Sequence, residues 1–318
     1  MLRGVEEAAV GEERARRRAA TGLGLLSIAL WATTVSVARS AATRLGLFPA
    51  GALVFGTSGA LLVITTCCRL RTVRWSGELS RRHLARCGPL FVLYVCLLYA
   101  ALALARSDRD AVVAGLANYI WPTMALLFSV MLLRLRPRAW LLGCGVFLAL
   151  AGIALAACDR VGGVTSLLAA VRTSPWAIAV GLLAGMSWGL YSALASRYRQ
   201  RLPAGAIGIY LLAAGGILAV FASGSWGTVV WTSRALAEAG YLAVVPTAIA
   251  YVAWDVAMHD GNVPLLGSVA NLTPVLATAT ARLYLGVPLA GTLLVGASLV
   301  AAGAALSHAA FRGATARG

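Results

Sequence analysis

The stretch Gly115–Leu133, GLANYIWPTMALLFSVMLL, is apolar enough to cross a bilayer, but its middle carries Asn118, Tyr119, Trp121 and Pro122. A proline in a helix removes one backbone hydrogen bond and kinks the helix. The membrane interior tolerates such a kink only where neighbouring protein or a water-filled cavity takes up the freed carbonyl. We therefore predict that this helix lines an internal cavity instead of facing lipid.

The same pattern returns 152 residues later in Gly267–Leu285, GSVANLTPVLATATARLYL, where Pro274 takes the place of Pro122. Carrying the shift backwards aligns Tyr99 with Tyr251, and no gap is needed in between. The chain is thus predicted to use one structural unit twice.

The composition is typical of a polytopic membrane protein, because 60% of the residues are hydrophobic, 12% are charged and the mean hydropathy is +0.83. The net charge of +16 comes from arginines in short gaps between apolar runs, which is the pattern of cytoplasmic loops. We therefore expect the protein to be surrounded by membrane lipid and to have no nucleic-acid partner. The six cysteines have no metal-ligand spacing, so we expect no metal site, disulfide framework or cofactor.

Apolar runs of about 20 residues predict an all-α protein with ten transmembrane helices. The predicted spans are 21–38, 47–68, 84–104, 111–133, 139–158, 175–196, 204–223, 236–257, 264–285 and 288–310.

The predicted spans divide the chain into two five-helix repeats, at 21–158 and 175–310, joined by an outer linker at 159–174. Residues 1–20 and 311–318 are predicted to be cytoplasmic tails. With the N-terminus inside, 19 of the 27 arginines lie on the inner side and 7 on the outer side, which favours cytoplasmic termini in a bacterial inner membrane. Each repeat has five spans, which is an odd number, so the second repeat enters the membrane from the opposite face. Inverted repeats of this kind suit alternating access.

Trp and Tyr collect at membrane interfaces for reasons unrelated to ligands, so the aromatic residues deeper in the spans are the informative ones. Together with two asparagines they are predicted to line the cavity: Trp31, Tyr94, Tyr99, Asn118, Trp121, Trp188, Tyr191, Tyr251 and Asn271. Pro122 and Pro274 are the predicted hinges.

Asp255 is the acidic residue that falls clearly inside a predicted span, and such residues are functional candidates by default. Tyr251, Asp255 and His259 share one helix face near the inner end of the eighth span. Two hypotheses stay open. Either this face is a proton-responsive gate, with protons as the candidate coupling ion, or Asp255 and His259 reach the inner interface and hold the helix end.

The span centres carry no basic residue, although phosphorylated solutes need Arg or Lys to offset their charge. The solute is therefore predicted to be neutral overall. A zwitterionic amino acid fits, because freed carbonyls or aromatic faces can bind its ammonium group and backbone N–H groups or hydroxyls its carboxylate. Efflux of hydrophobic cations stays open as an alternative, since aromatic walls also bind cations.

Several sequence strings resemble the drug/metabolite transporter superfamily, in its ten-helix branch with two EamA-type repeats. The strings are NYIWPT at 118–123, AYVAW at 250–254, GNV at 261–263 and TPVL at 273–276. The resemblance extends from about Thr21 to Phe311. It implies a basket of helices one, three, four, six, eight and nine around a central cavity, with five and ten at the periphery, and amino acid export from the cytoplasm.

Two positions depart from this pattern. Asp255 stands where the resemblance leads us to expect an amide, and Asp260 stands where a histidine is expected before Gly261. Coupling at this gate therefore does not follow from the resemblance alone.

An intramembrane enzyme acting on lipid would need a nucleophile and a base, or a metal cluster, at membrane depth. Ser58 and Ser225 lie beside glycines, but His83, His259 and His308 are predicted at inner span ends, and Ser225 on the opposite side. We therefore expect no enzymatic activity. Glycines repeated at seven-residue spacing in the fifth and tenth spans are predicted packing faces or a dimer contact, so we expect a monomer or a weak dimer.

Overall fold

The computed structural model describes residues 2–69, 81–198, 204–285 and 291–311, and in these residues it is helical with no strand. Labels follow the predicted spans, with a and b for the two halves of a broken helix. The helices are α1 (Leu2–Leu45), α2 (Leu47–Arg69), α3 (Arg81–Ala103), α4a (Asp108–Asn118), α4b (Trp121–Leu132), α5 (Ala139–Val161), a linker helix (Val164–Thr173), α6 (Pro175–Tyr198), α7 (Ala204–Phe221), α8 (Ser233–Asp260), α9a (Val263–Ala270), α9b (Thr273–Leu285) and α10 (Gly291–Ala309).

The predicted all-helical membrane fold is confirmed. Within the described ranges, eight helices are long and apolar enough to cross a membrane, counting α4a with α4b as one. The ninth predicted span is α9a with α9b, and the tenth contains the shorter apolar stretch Leu294–Ala309. The start of the tenth span, 288–290, and most of the C-terminal tail, 312–318, lie outside the described residues.

The first helix is longer than the predicted span 21–38. It runs for 44 residues from Leu2 to Leu45, so residues 2–20, predicted as a polar tail, continue the helix. The reason lies in their composition: Ala, Glu and Arg dominate this stretch and are strong helix formers. The polar helix extends α1 beyond its apolar part.

The prediction that Pro122 and Pro274 kink continuous helices is wrong. Each lies at the start of a separate half-helix, α4b or α9b, after a two-residue break. Proline is well suited to this position, because the first residues of a helix have no intrahelical acceptor for their N–H groups. The two breaks, at residues 119–120 and 271–272, are themselves 152 residues apart.

The peripheral helices α5 and α10 run antiparallel. Gly145 packs on the backbone of Gly303, and Gly152 packs on that of Gly296, so the numbers rise along α5 while they fall along α10. These helices occupy equivalent places in the two repeats and run in opposite directions, which is the geometry of an inverted repeat. Their glycine faces are used for packing inside the chain.

The helices α2 and α7 repeat this arrangement. Gly59 packs on the backbone of Gly208, and Gly215 packs on that of Gly56. A second pair of equivalent helices is therefore also antiparallel, and glycine again allows the two backbones to approach closely.

The bundle has two ends, which differ in the elements that meet there. We call the end where Arg16–Thr21 of α1 meets the α8–α9 turn the N-terminal face. The end where the linker helix meets the start of α4a is the linker face. Trp31 on α1 contacts Pro246 of α8, midway between the two ends of α8.

We predict that Gly152→Ala destabilises the fold, because a Cβ atom there would lie 2.5 Å from the Gly296 backbone oxygen. Overpacking of this kind costs about 1–3 kcal/mol. Thermal unfolding in detergent, followed by tryptophan fluorescence, measures the effect. Gly143→Ala on the same helix is the matched control, because a Cβ atom there meets nothing within 4 Å. Equal midpoints for the two variants would contradict the packing described.

Candidate functional site

Aromatic rings from α1, α3, α4b, α6 and α8 meet at the centre of the bundle. Trp31 is one hub, with ring centroids 5.8 Å from Trp121, 5.7 Å from Trp188, 5.5 Å from Tyr251 and 5.2 Å from Trp254. The rings meet edge-on or tilted, as their quadrupoles favour. One indole thus joins both halves of the chain.

Trp188 is the second hub. Its ring centroid lies 4.9 Å from that of Tyr94, 4.9 Å from that of Tyr191 and 5.5 Å from that of Phe91. Trp188, Tyr191 and Phe91 are all buried. We call the whole group the aromatic cluster: Trp31, Phe91, Tyr94, Trp121, Trp188, Tyr191, Tyr251 and Trp254.

The cluster contains six of the predicted cavity residues and two that the sequence analysis missed, Phe91 and Trp254. The structure therefore brings these six predicted residues into one group of contacting rings. A signal for the missed residues exists: Phe91 precedes Tyr94 by three positions, and Trp254 follows Tyr251 by three. Residues three apart share a helix face.

Two predicted cavity residues lie beside the cluster instead of in it. Tyr99 packs towards α2, where its ring centroid is 6.0 Å from that of Phe55. Asn271 lies in the α9 break, accepts a hydrogen bond from Thr123 Oγ1 at 3.1 Å and donates one to the Gly267 carbonyl at 3.1 Å. Asn271 therefore connects the α9 break to the start of α4b.

Asn118 ends α4a at the other break. Its side chain is only 7% exposed and is hydrogen-bonded to the hydroxyl of Tyr94, while its Oδ1 atom makes no hydrogen bond to any described residue. Gly185 of α6 packs closely on the backbone carbonyl of Asn118. A Cβ atom added at Gly185 would lie only 2.6 Å from the carbonyl oxygen. A buried amide with an unused acceptor beside aromatic rings is an unusual feature.

The middle of α8 is a π-helix, Ala243–Ile249, which contains Pro246. Side chains from α1 and α2 donate hydrogen bonds to two of its carbonyls, and Ser27 of α1 donates one to the carbonyl of Ala250, the residue after it. Trp31 Nε1 donates to the Pro246 oxygen at 3.0 Å, and Ser58 Oγ donates to the Ala243 oxygen at 2.7 Å. π-Helical segments are frequent at functional sites, and this one adjoins the aromatic cluster through Trp31.

Asp255 is 4% exposed and lies near Cys87, Tyr191 and Tyr210. It is therefore buried in the bundle. His259, one turn further along α8, has its Nδ1 atom 2.6 Å from Asp260 Oδ1 and lies at the N-terminal face. The predicted gate residues thus occupy two different depths of one helix.

Two more carboxylates are buried near the linker face, and both are paired. Asp110 accepts hydrogen bonds from Ser174, and Glu238 accepts one from Arg234 Nε at 2.9 Å and lies 3.5 Å from Arg44 Nη1. Across the described chain, no three His, Cys, Asp or Glu side chains are grouped to hold a metal ion.

Comparisons with known proteins agree on one family. Residues 175–308 match the EamA-like transporter family. A relative from Salmonella typhimurium, named aromatic amino acid exporter YddG, is 29% identical over 298 residues, covering 92% of this chain and 98% of its own. A relative of the same name from Ancylobacter novellus is 30% identical, covering 92% of this chain and 97% of its own.

The fold is also found in a solved structure, titled "Crystal structure of protein". It matches with a TM-score of 0.74 and 25% identity, over 93% of this chain and 98% of its own. Sequence and structure comparisons thus both extend over nearly the whole chain.

We predict that Trp31→Phe lowers the free energy of unfolding by about 1 kcal/mol or more, because it removes the donor to the buried Pro246 carbonyl while retaining an aromatic ring. Chemical unfolding in detergent measures this. Trp140→Phe is the control, since Trp140 is 69% exposed. A loss no greater than that of the control would show that the hydrogen bond does not stabilise α8.

Proposed function

The chain belongs to the EamA-like transporter family of the drug/metabolite transporter superfamily, and on that premise we propose that it exports amino acids, chiefly aromatic and other apolar ones. The observation that carries this proposal is the aromatic cluster at the centre of the bundle, in a chain similar over nearly its full length to proteins named aromatic amino acid exporters. Export proceeds from the cytoplasm across the bacterial inner membrane.

The break in α4 suits a zwitterion. The C-terminal end of α4a carries a partial negative charge and the N-terminal end of α4b a partial positive charge, and the two ends meet at residues 119–120. We propose that the ammonium group lies by Asn118 Oδ1, which makes no hydrogen bond to the described residues. The carboxylate then lies towards the start of α4b.

The aromatic cluster explains the proposed preference for aromatic substrates. Rings of Trp31, Trp188 and Tyr251 approach within 5.7 Å of one another, so separating them exposes aromatic faces. A substrate ring inserted there replaces ring contacts worth about 0.5–1.5 kcal/mol each beyond area burial. The predicted cavity residues Tyr99 and Asn271 border this space from α3 and the α9 break.

Alternating access fits the antiparallel packing of equivalent helices, and we retain 21–158 and 175–310 as the two moving repeats. Pro122 and Pro274, at the start of α4b and α9b, are the proposed hinges. The arginine distribution supports a cytoplasmic N-terminal face and a periplasmic linker face. We propose a monomer, since the glycine faces of α5 and α10 pack on each other.

The proposal is tested with purified protein in liposomes loaded with labelled tryptophan. We expect efflux to be inhibited by unlabelled phenylalanine and much less by tetraphenylphosphonium. Inhibition by the lipophilic cation alone would favour the hydrophobic-cation alternative, and efflux equal to that of protein-free liposomes would refute transport of tryptophan.

We predict that Asn118→Leu raises the KM for phenylalanine about tenfold, because the ammonium group loses one hydrogen-bond acceptor worth about 1.5–3 kcal/mol. Competition by phenylethylamine, which keeps the ammonium group, should weaken in parallel. Competition by 3-phenylpropionate, which lacks it, should not change. If both competitors weaken equally, Asn118 supports the shape of the site and does not recognise the ammonium group.

Proton coupling is proposed to depend on Asp255, a buried carboxylate on the same helix as Tyr251 and His259. We predict that Asp255→Asn abolishes the response of efflux to an imposed pH gradient while uncoupled counterflow continues. Efflux from liposomes with and without the gradient is the measurement. An unchanged response in the variant would exclude Asp255 as the coupling group.

A further inference from the structure

We propose that two polar latches, one at each face of the bundle, hold the two mouths of the transporter closed, and that the latch at the N-terminal face is the weaker one. The inference rests on the proposed alternating access and goes beyond it, because it assigns the contacts that must break and the side that opens more readily.

The two latches occupy equivalent places under the 152-residue shift. At the N-terminal face, Thr21 Oγ1 accepts a hydrogen bond from the backbone N–H of Asn262 at 3.0 Å. At the linker face, Thr173 Oγ1 donates a hydrogen bond to Asp110 Oδ2 at 3.1 Å. Thr21 corresponds to Thr173 and Asp110 to Asn262. Each latch joins the first helix region of one repeat to the start of the fourth helix of the other.

This placement makes the two contacts suitable as gates. The N-terminal-face contact connects the two repeats, and the linker-face contact connects the first repeat to the linker residues that lead into α6, so motion of one repeat against the other strains or releases both contacts. The α4 and α9 half-helices that the latches hold are the ones that end at the proline-associated breaks. Releasing a latch therefore frees the half-helix between a face and the aromatic cluster.

The linker-face latch is built around a buried carboxylate. Asp110 accepts from Thr173 Oγ1 and also from Ser174 Oγ, at 2.7 Å. Ser107 caps the same turn by accepting from the Asp110 backbone N–H at 3.2 Å. Hydrogen bonds to an ionised carboxylate are about twice as strong as neutral ones, and burial shields them from salt.

The N-terminal-face latch has an amide where the other has a carboxylate. Its charged group is Asp260, which accepts hydrogen bonds from Arg16 Nη2 at 2.8 Å and Arg16 Nε at 3.3 Å and lies 2.6 Å from His259 Nδ1. The Arg16 side chain is 57% exposed and the Asp260 side chain 9% exposed. The positions equivalent to this pair under the 152-residue shift are Leu168 and Asp108. The other repeat therefore has no equivalent of this ion pair. Because more than half of the Arg16 side chain is exposed, salt screens this contact more than it screens the buried Asp110 hydrogen bonds.

The difference has a direction that suits an exporter. A weaker latch at the N-terminal face makes that mouth open more often in the absence of substrate, and this is the proposed cytoplasmic side, from which an exporter loads. The polar extension of α1, which carries Arg16, thereby helps to hold the α8–α9 turn in the closed position.

Hydrogen–deuterium exchange of the full chain in lipid nanodiscs, without substrate, tests the proposal. Peptides covering residues 104–111 report the linker face and those covering 259–265 report the N-terminal face. In the unmodified protein we expect faster exchange at the N-terminal face. We expect a further increase there between about 0.1 and about 1 M NaCl, over which the screening length falls from about 10 to about 3 Å.

The variants should act reciprocally. Asp110→Asn should raise exchange at the linker face and lower it at the N-terminal face, with the ratio of open to closed states changing about tenfold. Arg16→Gln should do the opposite with a smaller effect. Thr173→Val replaces Asp110→Asn if the latter does not fold. Thr65→Val is the control, since the Thr65 hydroxyl bonds only to carbonyls of its own helix.

Changes confined to the mutated face would mean that the contacts are local and would overturn the proposal, as would faster exchange at the linker face of the unmodified protein. Because no substrate is used, the outcome is independent of the tryptophan efflux assay. If the exchange rates change reciprocally but the protein does not transport tryptophan, the latch proposal stands and the proposed function is refuted.

Discussion

A backbone polar group left without a partner in lipid costs several kcal/mol, so a membrane helix can be interrupted only where protein covers the interruption. In the part of the chain that the structure describes, three helices are interrupted, at residues 119–120, 243–249 and 271–272, and backbone groups at each interruption have hydrogen-bond partners within the protein. The Tyr119 N–H donates to the Leu116 carbonyl at the α4 break, the Asn271 N–H donates to the Ser268 carbonyl at the α9 break, and Trp31 donates to the π-helix of α8. The breaks therefore face inward, and the aromatic cluster lies among them.

The inverted repeat gives two similar halves, and the differences between the halves carry the proposed function. Asn118 ends α4a, whereas the equivalent residue that ends α9a is Ala270, so one break can recognise a polar group and the other cannot do so through that side chain. In the same way Asp110 corresponds to Asn262 and makes the two faces unequal. In the proposed mechanism, duplication supplies the mechanical symmetry, and a few differences between the halves supply substrate recognition and direction.

Much of the fold followed from the sequence, because membrane helices are long, apolar and separated by arginine-rich gaps. The ends of α2, α5, α6 and α7 lie within three residues of the predicted spans. The 152-residue shift, read from the two proline motifs, holds in the structure at both helix breaks. Six members of the aromatic cluster could be selected from the sequence because aromatic side chains deep in a span have few roles besides packing and binding.

The remainder depends on contacts that a single sequence does not display. The π-helix in α8 is stabilised by Trp31 and Ser58, which lie on other helices. The length of α1 reflects helix propensity in a polar stretch, which a search for apolar runs overlooks. Glu238 is buried because Arg44 and Arg234 approach it, and the contacts within the aromatic cluster depend on ring packing between helices.

In the proposed mechanism, a single amino acid binds among the aromatic rings beside the break in α4. A crystal structure with 4-bromophenylalanine tests it directly, because anomalous scattering locates the bromine atom. The account predicts a peak between Trp31, Trp188 and Tyr251, with the ammonium group towards Asn118. A peak outside the bundle, or in the groove between α4b and α5 near Arg136, would contradict it.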